Sequence, residues 1–130
     1  MKKLLILGVM AALFLSACSA AGTKEENTAY HKVTPEEAKE MMDNETVTIV
    51  DVRTAEEYEE GHVPGAILLD NNTIGKEQPE ELPDKDAKLL IYCRSGKRSK
   101  AASDKLVEMG YQNVYDFGGI IDWPYETTAE

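Results

Sequence analysis

The sequence predicts an α/β sandwich around a mainly parallel sheet, and three observations carry that expectation. Short β-branched, almost continuously apolar runs recur along the chain, as strands covered on both faces require. Between them lie segments with helical periodicity and explicit start signals. At 130 residues, with 42% hydrophobic and 29% charged side chains, the chain suits one compact domain and leaves no room for a second.

The first stretch reads as an address. Met1, Lys2 and Lys3 precede a nearly wholly apolar run, residues 4–15, which breaks into Ser16, Ala17 and Cys18. A helix of that length rises about 18 Å, short of the roughly 30 Å of a hydrocarbon core, so a removable signal over residues 1–17 is preferred to a permanent span. The tetrad Leu15, Ser16, Ala17, Cys18 resembles the bacterial lipoprotein box. That resemblance implies lipidation of Cys18, export, and anchoring to a bacterial membrane with the domain outside the cytoplasm. An ordinary secretory signal is the alternative. Residues 18–29 are the lipidated cysteine and a small, polar, aperiodic tether, and residues 30–130 form the domain.

Within the domain, Thr34, Pro35 and Glu37 supply an N-cap, an N1 proline and the N3 carboxylate of a capping box. Ala38, Met41 and Met42 then make one buried stripe over about two turns. Residues 47–52 (VTIVDV) read as a buried strand. Thr54 and Glu57 repeat the capping box over a short helix that Gly61 can close. Residues 66–69 and 89–92 are further buried strands. The polar stretch 70–88, with Pro79 and Pro83, reads as a long connection with room for one short helical turn and little to offer the core. Residues 99–109 form the best helix, with Ala102, Leu106 and Met109 on one face and Gly110 as its stop. Residues 114–117 give a last strand that ends in Gly118 and Gly119.

Charge excludes one class of partner. With 14 basic against 24 acidic residues the net charge is -10, which repels phosphate backbones and argues against nucleic-acid binding. The two cysteines cannot make a disulfide framework. If Cys18 carries lipid, Cys93 is the only thiol left, unpaired in a compartment that favours disulfides, and its presence asks for a chemical reason.

That reason lies in LLIYC-RSGKRS-KAASDKL, which puts Cys93 at the carboxyl end of a strand, before a glycine-containing loop and a helix start. Ligands of open α/β sheets bind at that edge. Gly96 lets the loop curl so that successive N–H groups point inward, aided by the positive end of the next helix. Such a cradle holds an anion over Cys93, and the thiolate is the nucleophilic form of cysteine. Arg94, Lys97, Arg98 and Lys100 reverse the local sign of charge. A buried structural cysteine beside a solvated basic face is the bland alternative.

Four blocks then carry a family resemblance: Asp51-Val52-Arg53 followed by Glu57 and Tyr58, GHVPGA at 61–66, CRSGKR at 93–98, and GGIIDW at 118–123. From about Tyr30 to Trp123 the chain resembles a single-domain rhodanese, a sulfurtransferase. The resemblance implies a three-layer sandwich with a central sheet of about five strands. It implies that Cys93 accepts a sulfane sulfur as a persulfide and that the amides of Arg94, Ser95, Gly96, Lys97, Arg98 and Ser99 hold its charge. Arg94 and Lys97 would guide an anionic donor such as thiosulfate, cyanide or a thiol would accept the sulfur, and Asp51 and Arg53 would brace the surrounding loops. A protein acceptor or reductase is a further expected partner. The different-class alternative is a tethered persulfide carrier, sensor or docking module without turnover.

Phosphatases and arsenate reductases that resemble this fold place five residues between cysteine and arginine. Here four lie between Cys93 and Arg98, a loop that fits one extra sulfur better than a tetrahedral oxyanion. His62, in its Gly-His-Val-Pro-Gly turn, reads as bonded to backbone rather than as a general base for Cys93. Trp123 and the tyrosines read as core or rim packing. The glutamate-rich runs 56–60 and 77–81 read as solvated. One available thiol and two distant histidines lack the spacing of metal ligands, no nucleotide-binding glycine fingerprint occurs, and persulfide chemistry calls for no cofactor.

Overall fold

The computed structural model describes residues 28–130, so the signal, Cys18 and most of the tether lie outside the described residues. Five strands form one sheet in the order β1-β5-β4-β2-β3, and every pairing is parallel. The elements run β1 (Tyr30–Lys32), α1 (Pro35–Asn44), β2 (Thr48–Asp51), α2 (Ala55–Glu60), β3 (Ile67–Leu68), β4 (Lys88–Cys93), α3 (Lys97–Glu108) and β5 (Asn113–Gly119). The expected α/β sandwich with a parallel five-stranded sheet is what forms. No described helix is long and apolar enough to cross a membrane.

Alternation along the central strand β4 builds the two outer layers. Leu89, Ile91 and Cys93 point to one face, where they pack with Ala102 and Leu106 of α3 and with Val50, Val52 and Val114. Leu90 and Tyr92 point to the other, against Ala38 of α1 and Phe117, Val63 and Trp123. The register of β4 therefore decides that Cys93 shares a face with α3. A one-residue slip would send it to the other layer.

Both capping boxes form as expected: Thr34 and Thr54 each accept from the N3 amide, and Glu37 and Glu57 each reach back. Two sequence expectations need correction, and one strand went unread. Helix α3 begins at Lys97, two residues before the apolar period suggested, because Gly96 at φ +107 turns the chain directly into it. Strand β1 gave no apolar signal. Its register on β5, Tyr30 opposite Val114, comes from a segment more than eighty residues away. The connection 70–88 is not marginal to the core, since Ile74 and Leu82 are buried under α3 and the Tyr111 hydroxyl donates to the Leu82 carbonyl. The short helical turn expected there is a 3-10 turn at Asn71–Thr73.

Candidate active site

Cys93 is the last residue of β4 and 1% exposed. Its Sγ accepts the Gly96 N–H at 3.0 Å, so the chain curls back over the sulfur within three residues. Gly96 is the N-cap of α3 and places no side chain on the helix start, so the first N–H groups of α3 are left without a side-chain acceptor.

The loop is held from outside by backbone. Strand β5 carries a register shift opposite β4, with Ile91 paired to Asp116 but Cys93 to Gly119, and Gly118 at φ +91 fills the irregular position. The shift presses Gly119 against the Cys93 loop so closely that a Cβ there would lie 2.1 Å from the Arg94 carbonyl oxygen. That carbonyl in turn accepts the Ile121 N–H at 3.2 Å. A buried carboxylate organises the same corner: Asp116 accepts from the Ser99 hydroxyl at 2.8 Å, the Gly118 N–H at 3.0 Å and the Tyr30 hydroxyl at 2.8 Å. Burial and that bond to Asp116 hold the Tyr30 phenol un-ionised far above its usual range.

The other wall is the end of β2. Asp51 is fully buried and its carboxylate accepts the Arg53 amide, the Arg53 guanidinium and, at 2.6 Å, the Tyr92 hydroxyl. Arg53 also donates to the Gly61 carbonyl at 2.7 Å, tying the strand end to the close of α2. Burial opposes the Arg53 charge, yet the bonds and charge of Asp51 outweigh it and keep the guanidinium firmly protonated. Burial and the Asp51 bond likewise push Tyr92 far up.

The residues expected at the site are thus brought together in unequal ways. Gly96 is the loop amide that bonds Sγ. Arg94, Ser95 and Lys97 are exposed on the rim. Ser99 is buried and its hydroxyl serves Asp116 rather than the sulfur. Arg98 is not a free loop cation, because both terminal nitrogens donate to Glu57 at 2.8 and 3.0 Å. Lys100 pairs with Asp104. The local reversal of charge therefore reduces to Arg94 and Lys97, which have no ion-pair partner among the described residues. Glu57, expected to be solvated, is held down to about 2 chiefly by the Arg98 bond. His62 sits in its turn with Nδ1 2.8 Å from the Tyr58 carbonyl and its ring stacked on Tyr58.

Sequence reasoning passed over Glu57, Asp116, Gly119 and Ile121 as parts of the site. Glu57 carried a signal as a capping-box and family-block residue, Gly119 and Ile121 as members of the GGIIDW block with its doubled glycine at a strand end, and Asp116 carried none.

A parallel sheet with a cysteine loop at its carboxyl edge, braced by a buried Asp-Arg pair, defines the class, and the comparisons agree. The rhodanese-like domain model matches residues 34–124, and the chain belongs to that family. It is 33% identical over 96 residues to the thiosulfate sulfurtransferase GlpE of Pseudoalteromonas translucida, covering 73% of this chain and 90% of that protein. It is also similar to the tRNA uridine(34) hydroxylase of Photorhabdus laumondii, 38% identical over 93 residues and 68% of this chain, but that span is only 26% of the hydroxylase. A crystal structure of a rhodanese-like domain protein from Staphylococcus aureus matches with TM-score 0.66 and 32% identity, over 77% of this chain and 98% of that one.

Proposed function

We propose that the protein is a sulfurtransferase that carries sulfane sulfur from an anionic donor such as thiosulfate to cyanide or a thiol through a persulfide on Cys93. The observation that supports this best is the Cys93 sulfur at the carboxyl edge of the sheet, under the Gly96 amide and before an uncapped helix start. In the first half-reaction the Cys93 thiolate attacks the outer sulfur of thiosulfate. A bond forms from Cys93 Sγ to that sulfur, the sulfur–sulfur bond of thiosulfate breaks, and sulfite leaves with the electron pair. The terminal sulfur of the persulfide then carries one negative charge, which the amides at the start of α3 can meet. In the second half-reaction the acceptor attacks that sulfur and Cys93 departs as thiolate. Arg94 and Lys97 draw the doubly charged donor toward a protein that otherwise repels anions.

Intact-mass measurement after thiosulfate treatment tests the first half, and thiocyanate formation on adding cyanide tests the second. One added sulfur and steady thiocyanate are expected, both lost in Cys93→Ala. A mass gain without turnover would reassign the domain to a persulfide carrier or docking module. Aryl phosphate hydrolysis lost in Cys93→Ser would replace the sulfur chemistry altogether.

The same reading places the domain outside the cytoplasm on a lipid at Cys18, where a protein acceptor or reductase keeps Cys93 from resting as a disulfide. Palmitate labelling that disappears in Cys18→Ala is the expected result, and persistent labelling would remove the anchor.

A further inference from the structure

The Cys93 loop is tied to α2 by a pair of charges that the proposed reaction does not use. Arg98 lies in the first turn of α3, and both oxygens of Glu57 accept from its two terminal nitrogens. Glu57 is also the N3 residue of the α2 capping box, where it accepts the Thr54 N–H and hydroxyl. It cannot swing away without undoing the start of α2. One carboxylate therefore closes one helix and fixes a cation in the helix that follows the reacting sulfur. Arg98 follows by two residues the N-cap Gly96, whose N–H meets Cys93 Sγ at 3.0 Å, so its cation belongs to the helix start that faces the sulfur.

We infer that Glu57 is a positioning residue that sets the positive potential at Cys93, by holding Arg98 in place while cancelling part of its charge. The inference rests on the reading of Cys93 as the reacting thiol. The other charged groups around the sulfur are already balanced or lie in solvent. Asp51 and Arg53, at the end of β2, pair at 2.6 Å. Tyr92, in β4, stays neutral through burial and its bond to Asp51. Asp116, in β5, is occupied by three donors. Lys105, farther along α3, donates to Asn71. His62 is bonded to the backbone of α2. Arg94 and Lys97 are exposed and screened. Arg98 is the partly buried cation whose balance one substitution on another helix can change.

Alkylation of Cys93 by iodoacetamide, followed on its own peptide in the full chain across pH, tests this without requiring sulfur transfer. Glu57→Gln keeps an oxygen that can accept from Thr54 and one Arg98 N–H, but removes the negative charge. At about pH 6 it should alkylate about threefold faster than wild type, and Arg98→Gln about threefold slower. Both differences should vanish near pH 10, where an ordinary thiol is ionised throughout. The double variant Glu57→Gln, Arg98→Gln should return to the wild-type rate, and Arg98→Lys, which keeps the cation, should stay within about twofold of it. Single variants that shift in the same direction, shifts that do not depend on pH, or a double variant that fails to return would each overturn the inference. Opposite shifts in a protein that forms no thiocyanate would sink the sulfurtransferase reading and leave this one standing.

Discussion

Two strand-to-helix turns lie side by side at the carboxyl edge of the sheet, and they solve the same problem in opposite ways. The turn from β2 to α2 is saturated by side chains: Asp51 takes Arg53 and Tyr92, Arg53 reaches Gly61, and Thr54 and Glu57 cap the helix. The turn from β4 to α3 has no side-chain cap and is shaped by backbone, with Gly96 folded over the sulfur and Gly119 and Ile121 gripping Arg94. The difference teaches that the turn carrying Cys93 keeps its own donors unspent by taking its rigidity from neighbours. A cap on α3 of the kind found on α1 and α2 would occupy the amides that the proposed persulfide needs.

The contrast can be broken most severely at Asp51. Asp51→Ala strands the buried Arg53 charge and the Tyr92 hydroxyl, and should lower unfolding stability by about 3–5 kcal/mol in a denaturant titration. Gly119→Ala attacks the other turn. Its Cβ meets the Arg94 carbonyl, so the loop must shift, with an expected loss of about 1–3 kcal/mol and about 100-fold in sulfur transfer. Retained activity there would mean that the loop is not fixed from outside.

The two matching capping boxes sharpen the comparison. Thr54→Ala and Thr34→Ala should each lower stability by about 1 kcal/mol. Only Thr54→Ala should also slow sulfur transfer, because Glu57 alone links its box to the Cys93 loop. Smallest is an acid effect. Glu57 is held at about 2 against an ordinary 4.5, so its contribution is complete above about pH 4.5 and is lost as pH falls toward 2. The pH dependence of unfolding free energy should flatten there by about 1 kcal/mol in Glu57→Gln, a modest figure because solvent screens the partly exposed pair.

Much of this was legible in the chain because the deciding interactions are local. A capping box is complete within four residues, so Thr34 with Glu37 and Thr54 with Glu57 could be read directly. The face of α3 follows from its apolar period, and Cys93 at a strand end before a glycine follows from order alone. The four sequence blocks carried the family resemblance. What escaped were contacts whose partners lie far apart in sequence: β1 against β5, Ile74 and Leu82 under α3, and Arg98 with Glu57 forty-one residues away. Composition described Glu57 as one more solvated glutamate and Arg98 as one more free cation.

The amino-acid order by itself determined most of the secondary elements, their caps and the place of Cys93 at a strand end before a glycine loop, since each depends on neighbours within one turn of helix or one run of strand. Tertiary structure alone decided which amide meets the Cys93 sulfur, which loop cations keep no ion-pair partner among the described residues, and why residue 119 must be glycine. Those outcomes depend on how parallel strands align across the sheet, and a register is fixed only when distant segments pack together.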